Sequence, residues 1–175
     1  MRRREIDMKM RIAGIVNDSI VDGPGFRLAV FTQGCPHHCP GCHNPQTHDY
    51  DGGTEVDTRE IIEKMGGNPL LDGVTLTGGE PFCQPKACAE LAGAARKAGL
   101  NVWCYTGYTF ETLLKEGTEE QRTLLRELDV LVDGPFLLAR RTLNCRFRGS
   151  DNQRLILVRE SLSQGRTIEL VLPDA

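Results

Sequence analysis

Val74-Thr75-Leu76-Thr77 runs directly into Gly78-Gly79-Glu80-Pro81, and four residues later Pro85 opens an alanine-rich stretch that closes at Gly99. A short β-favouring run, a glycine break and a helix with proline in its first turn make a strand–turn–helix unit. Helical spacing makes Ala87, Leu91, Ala94, Ala95 and Ala98 available to face a sheet. The same alternation extends outward in both directions. Upstream, Arg27-Leu28-Ala29-Val30-Phe31-Thr32 is a strand, followed by a Gly/Pro/Cys/His-rich loop from Gln33 to about Asp51. Asp57-Thr58-Arg59-Glu60 then reads as a capping box opening a helix that ends at Gly66-Gly67. Downstream come a strand over Asn101–Tyr105, helical material from Thr109 to Leu128 with a second capping box at Thr118 and Gln121, and a strand over Val130–Val132. An Arg-rich loop, a strand from Arg154 to Val158 and a last strand from Thr167 to Leu172 complete the chain. Strands separated by helices predict right-handed crossovers and an α/β fold with a mainly parallel sheet. Such sheets carry their chemistry at the carboxyl ends of the strands. The cysteine loop, Gly78-Gly79-Glu80-Pro81, Tyr105-Thr106-Gly107 and Asp133-Gly134-Pro135 are therefore expected along one edge.

The chain has 175 residues, 39% of them hydrophobic and 26% charged. That is enough for one packed core, and a single domain over 1–175 is expected. Residues 1–9 are read as an N-terminal extension whose order, and whose translation start at Met1, Met8 or Met10, the sequence leaves open. No repeat or low-complexity tract interrupts the pattern. Apolar runs such as Leu155–Val158 fall far short of the ~20 residues that span a bilayer. Met1–Asp7 is followed by charge where a secretory leader has an apolar stretch. These features predict a cytoplasmic protein without a membrane partner. With 21 basic against 24 acidic side chains, a net charge of −3 and few aromatic residues, no nucleic-acid partner is expected either.

Seven cysteines in a chain without an export signal point to metal ligands or catalytic groups more than to disulfides. Three of them form Cys35-x3-Cys39-x2-Cys42, on a loop broken by Pro36, Pro40 and Gly41. Such a loop wraps three sulfurs around one corner of a metal centre. A structural zinc site wants four protein ligands. His37, His38, His43 and His48 are all available as a fourth, so a non-catalytic zinc-binding module stays open. The spacing favours iron and sulfur, because a cubane held by three cysteines leaves one iron open to a substrate. Cys83, Cys88, Cys104 and Cys145 form no second spacing motif and read as buried or incidental thiols.

The CxxxCxxC spacing resembles that of the radical S-adenosylmethionine superfamily. The resemblance extends through Asp22-Gly23-Pro24-Gly25-Phe26-Arg27, Phe31–Asn44, Gly78-Gly79-Glu80-Pro81, Tyr105-Thr106-Gly107-Tyr108, Val132-Asp133-Gly134-Pro135-Phe136 and Arg148-Gly149-Ser150-Asp151-Asn152-Gln153-Arg154. In order, and over about three quarters of the chain, these blocks are similar to the family that activates the anaerobic ribonucleoside-triphosphate reductase. Two positions depart from the pattern. Gly41 stands where many superfamily members carry an aromatic residue near the adenine, a role that His43 is placed to share, and Asp151 stands where a small uncharged residue is expected.

The resemblance implies a curved, partial (β/α) barrel of radical S-adenosylmethionine type. It implies a [4Fe-4S] cluster on Cys35, Cys39 and Cys42, and S-adenosylmethionine on the open iron. Reductive cleavage would then yield a 5′-deoxyadenosyl radical, and with it a glycyl radical on the class III reductase. The implied partners are that reductase and an electron donor such as reduced flavodoxin. Gly41, Cys42, His43, Gly78, Gly79, Glu80 and Asp133 are the expected cofactor-binding residues. The glycine pair lets backbone approach a ligand, and Glu80 offers an acceptor for a substrate ammonium. Asp133 reads as a polar site residue because it sits at a strand end, while Trp103 reads as core. Another small radical enzyme, either a different glycyl-radical activase or a carboxy-deazaguanine synthase, is the alternative. Arg140, Arg141, Arg146, Arg148 and Arg154 read as either a solvated face or a surface that docks carboxylates.

Overall fold

The computed structural model of the chain describes residues 8–173. Its strands are β1 Lys9–Ser19, β2 Arg27–Thr32, β3 Thr54–Asp57, β4 Gly73–Gly78, β5 Asn101–Tyr105, β6 Val130–Asp133 and β7 Arg154–Leu157. The helices are α1 Thr58–Gly66, α2 Pro85–Lys97, α3 Phe110–Glu116, α4 Glu119–Arg126 and α5 Val158–Gln164. One open sheet orders the strands β3-β1-β2-β4-β5-β6-β7. The centre, β2-β4-β5-β6, is parallel, whereas β1 with β2, β1 with β3 and β6 with β7 pair antiparallel. The expectation of a mainly parallel sheet therefore holds for the middle and fails at both flanks. A parallel neighbour needs a crossover of a dozen or more residues, usually helical. Between β6 and β7 the chain forms only one 3-10 turn, Leu138–Arg140, and β7 returns antiparallel.

Strand pleating divides the sheet into two faces. Leu28 and Val30, Val74 and Leu76, Val102 and Cys104, Leu131 and Ile156 point to one side, where Ile61, Leu91, Ala95, Phe110, Leu124 and Val158 from the five helices cover them. The helices thus form a single layer on one face. On the other face Trp103, Val130, Val132 and Leu155 make a smaller cluster with Tyr105, Phe147, Leu170 and Leu172. Arg27 lies fully buried on this face, bonding the Thr75 hydroxyl at 2.7 Å and the Val74 carbonyl at 3.0 Å, with its guanidinium 5.6 Å from the Trp103 ring. Burial lowers the Arg27 pKa to about 10, leaving it charged near neutrality.

The caps behave as their residue types dictate. Asp57 caps α1 by accepting the Arg59 N–H, in place of the capping box expected with Glu60, and Thr118 with Gln121 forms the expected reciprocal capping box on α4. The predicted helical stretch 109–128 is two helices, parted at Gly117. Ala98 is exposed at the end of α2 and does not face the sheet. The strand expected over Thr167–Leu172 is an irregular tail that runs beside β7, bridging Ile156 through Glu169. It follows α5, a seven-residue helix whose first residue, Val158, continues the apolar run of β7. Of the predicted extension, Met8 and Lys9 belong to the fold, since Met8 packs on the core and Lys9 opens β1. Residues 1–7 lie outside the described residues. Among the described residues no helix is long and apolar enough to cross a membrane.

Candidate active site

The loop after β2 is closed by its own backbone. The Gly34 N–H reaches the Thr47 carbonyl at 2.7 Å, and the Cys35 N–H reaches that of His48 at 3.3 Å. The Gln33 amide donates to the carbonyls of Gln46 and Asp49 at 3.0 and 2.6 Å. Within the loop the Cys42 N–H bonds the Cys39 carbonyl, a turn that returns the third cysteine toward the second. Burial raises the Cys35 thiol pKa; the nearby Glu80 charge adds to this, while the backbone N–H groups of His37 and His38 stabilise the thiolate. The Asn44 N–H donates to the Cys42 sulfur at 3.4 Å.

Cys35, Cys39 and Cys42 line one cavity of about 600 Å3, in the size range of small-ligand sites. His43, Gly78 and Gly79 line it too, joined by Thr77, Tyr105, Thr106, Gly107 and Phe136. The loops after β2, β4, β5 and β6 therefore do meet at one edge, as the strand-end rule requires. His43 and Phe136 present rings with centroids 5.2 Å apart.

Three predicted site residues are absent from the cavity wall. Glu80 is fully buried, and its carboxylate accepts from the Phe82 N–H at 3.0 Å, the Thr106 hydroxyl at 2.9 and 3.0 Å, and the Gly107 N–H at 2.9 Å. It also meets Nε2 of His37 at 2.7 Å. In this arrangement the side chain has no free edge for a substrate ammonium, and it fastens the cysteine loop to the loop after β5. His37, named in the sequence only as a zinc alternative, is the other half of this clasp. Asp133, 1% exposed, accepts the Phe110 N–H at 2.8 Å and faces Arg154 at 2.6 Å. Its neighbour Val132 faces the inner cluster, so the pleat turns Asp133 toward the helices. Gly41 has φ +73°, and a Cβ there would lie 2.8 Å from a Leu138 methyl. Leu138 occupies the space an aromatic neighbour of Cys42 would need.

The glycine pair has a cause beyond ligand approach. A Cβ on Gly78, whose φ is +94°, would fall 2.5 Å from the Thr32 nitrogen, and one on Gly79 would strike the Gly34 carbonyl. The pair lets β4 close against the start of the cysteine loop, with Gly79 N–H to Thr32 O at 2.8 Å and Glu80 N–H to Gly34 O at 2.9 Å. The remaining thiols differ among themselves. Cys88 and Cys104 are buried in the helix-side core and held protonated by burial, Cys83 is exposed, and Cys145 lines the cavity. Asp151, the unexpected charge, pairs with Arg140.

The donor set fits an iron-sulfur cluster. Three thiols share one wall, backbone N–H groups stabilise the Cys35 and Cys42 sulfurs, and Nε2 of His48, also in the wall, is buried without a partner. Among the described residues no three His, Cys, Asp or Glu side chains gather as a single ion would require.

Comparison with known proteins gives the same direction. The family described as a 4Fe-4S single cluster domain matches residues 21–156. The anaerobic ribonucleoside-triphosphate reductase-activating protein of Enterobacteria phage T4 is 34% identical over 143 residues, covering 77% of this chain and 86% of that protein. The proteins of the same name from Vibrio cholerae and Escherichia coli K12 are 33% and 31% identical, over 89% and 90% of their lengths and 77% of this chain. Among solved structures, QueE from Escherichia coli aligns with a TM-score of 0.45 at 17% identity, over 58% of this chain and 54% of that one. With the cysteine loop, the strand-end cavity and this identity over most of its length, the chain belongs to the family of anaerobic ribonucleoside-triphosphate reductase-activating proteins.

Proposed function

We propose that this protein is an activase that generates a glycyl radical on an anaerobic ribonucleoside-triphosphate reductase, with a [4Fe-4S] cluster and S-adenosylmethionine as cofactors and reduced flavodoxin, or a donor like it, as electron source. The observation that carries the reading is the convergence of Cys35, Cys39 and Cys42 with the loops after β4, β5 and β6 on one cavity. When bound, the cluster supplies the electron for reductive cleavage of the sulfonium, the origin of the radical. The chain's own residues do the rest. Cys35, Cys39 and Cys42 hold the cluster, and the backbone around Gly78 and Gly79 forms the wall beside it. His43 and Phe136 offer ring faces to an adenine. The clasp between Glu80 and His37 fixes the cysteine loop, and Asp133 positions β6, α3 and β7 from behind. The helices on a single face favour a partial (β/α) barrel over a doubly wound sheet, which carries them on both.

The test is anaerobic reconstitution with iron and sulfide, followed by an assay of S-adenosylmethionine cleavage with and without the reductase. A brown protein that cleaves S-adenosylmethionine and activates the reductase is expected. A colourless zinc protein without cleavage overturns the reading.

A further inference from the structure

The structure divides the arginine-rich segment in two. Arg140 pairs with Asp151, and Arg154 pairs with Asp133 and Glu111, so these two guanidinium groups are engaged within the fold. Arg141, Arg146 and Arg148 instead line the cavity that holds the three cluster thiols. Among the described residues none of these three meets a carboxylate. Arg146 lies 5.0 Å from the Phe147 ring, and Arg148 reaches only the carbonyls of Arg146 and Gln153, at 3.4 and 3.5 Å. The acid in the cavity wall is Asp22, whose carboxylate takes the Ser19 hydroxyl. A chain of net charge −3 thus concentrates unneutralised positive charge at the opening of its cavity. Arg141 and Arg146 are exposed, and Leu143 between them in sequence is 90% exposed. The segment also touches the cysteine loop, because Leu138 packs over Gly41 and Gly149 lies beside His43.

We propose that Arg141 and Arg146, with Leu143, form a docking rim for an acidic segment of the protein substrate that carries an apolar anchor residue, holding the target backbone over the cavity. The inference rests on the activase reading and names the chemistry of the partner's contact. Guanidinium forks pair with carboxylates in a planar, two-pronged geometry. S-adenosylmethionine has a single carboxylate and carries net positive charge, so it does not account for two arginines that line the cavity while staying exposed to solvent. An exposed leucine flanked by cations fits a polypeptide in which acidic residues surround an apolar one.

The test uses the cluster-loaded protein and the intact reductase under anaerobic conditions, comparing wild type, R141E/R146E, R141K/R146K and L143S. Binding to the reductase is measured at low and at moderate salt, and S-adenosylmethionine cleavage is measured without the reductase. Charge reversal should weaken binding about tenfold or more at low salt, and the gap should narrow as salt screens the wild-type contact. The lysine pair should keep the salt dependence but bind more weakly than wild type, because an ammonium cannot form the two-pronged contact, L143S should weaken binding equally at both salts, and partner-free cleavage should match wild type throughout. Equal affinity of R141E/R146E and wild type at both salts overturns the rim. So does a parallel loss of partner-free cleavage, which would assign the arginines to the cofactor. If wild type cleaves S-adenosylmethionine but neither binds nor activates the reductase, the activase reading itself falls.

Discussion

Replacing Glu80 separates two roles for one carboxylate. In the structure it accepts from the N–H groups of Phe82 and Gly107 and the Thr106 hydroxyl and meets Nε2 of His37, the carboxylate itself lying behind the wall that His37, Thr106 and Gly107 line. Glu80→Ala leaves these groups without their acceptor. A buried donor left unsatisfied costs about 1–3 kcal/mol. The Thr106 hydroxyl is free to rotate and water enters the space left behind, so a net loss of about 3–5 kcal/mol is expected. Glu80→Gln keeps one acceptor oxygen but sets an NH2 against the Gly107 N–H, at about 1–3 kcal/mol. Against a total stability of about 5–15 kcal/mol, both changes are measurable. The assay is urea unfolding under reducing conditions, where a slope of about 1–3 kcal/mol/M places the alanine variant's midpoint about 1 M or more below wild type. Wild-type midpoints for both variants, together with a loss of S-adenosylmethionine affinity in the loaded protein, would refute the clasp and return the carboxylate to the substrate ammonium.

Other outcomes follow from the same geometry. Gly79→Ala drives a methyl group into the Gly34 carbonyl and within 3.0 Å of that of Thr32, so it should cost about 1–3 kcal/mol in urea unfolding and lower iron retention by loosening the cysteine loop. Glu111 is hydrogen-bonded by Arg154, which holds its folded pKa at about 2, below the usual 4.5. Its contribution to stability is therefore fully present above pH about 4.5 and lost as pH falls toward 2, and the difference in unfolding midpoint between wild type and Glu111→Gln should vanish across that window. Cys35→Ala, Cys39→Ala and Cys42→Ala should each lose iron on anaerobic reconstitution. Cys88→Ala, in the helix-side core, should retain it, and iron analysis of the four variants decides.

The central fold was legible because a parallel βα repeat leaves local signals. Pro85, Gly99, Asp57 and Thr118 mark helix ends by their own stereochemistry, and the strand-end rule then gathers the four loops. The flanks left weaker signals. β1 is stabilised by pairing with β2 and β3, and its burial does not alternate cleanly beyond Ile12, so its pattern alone does not mark a strand. That Cys35, Cys39 and Cys42 would share one wall was legible from their spacing. Glu80 and Asp133 were correctly placed at strand ends, but whether a side chain enters the cavity depends on the pleat and on where the neighbouring loop supplies donors. His37 is separated from Glu80 by 43 residues, and the only signal that joins them is the fold itself. Likewise the pairing of Arg140 with Asp151 becomes visible only once the loop has closed, and it explains why a charge is tolerated at 151.

Electron paramagnetic resonance of the reductase, after anaerobic incubation with the reconstituted protein, S-adenosylmethionine and a reductant, reads the proposed product itself. A glycyl radical on the reductase is expected with the wild-type chain and none with Cys39→Ala. A radical of equal intensity from the Cys39 variant, or no radical from a wild-type protein that holds its full cluster and cleaves S-adenosylmethionine, would contradict the activase reading.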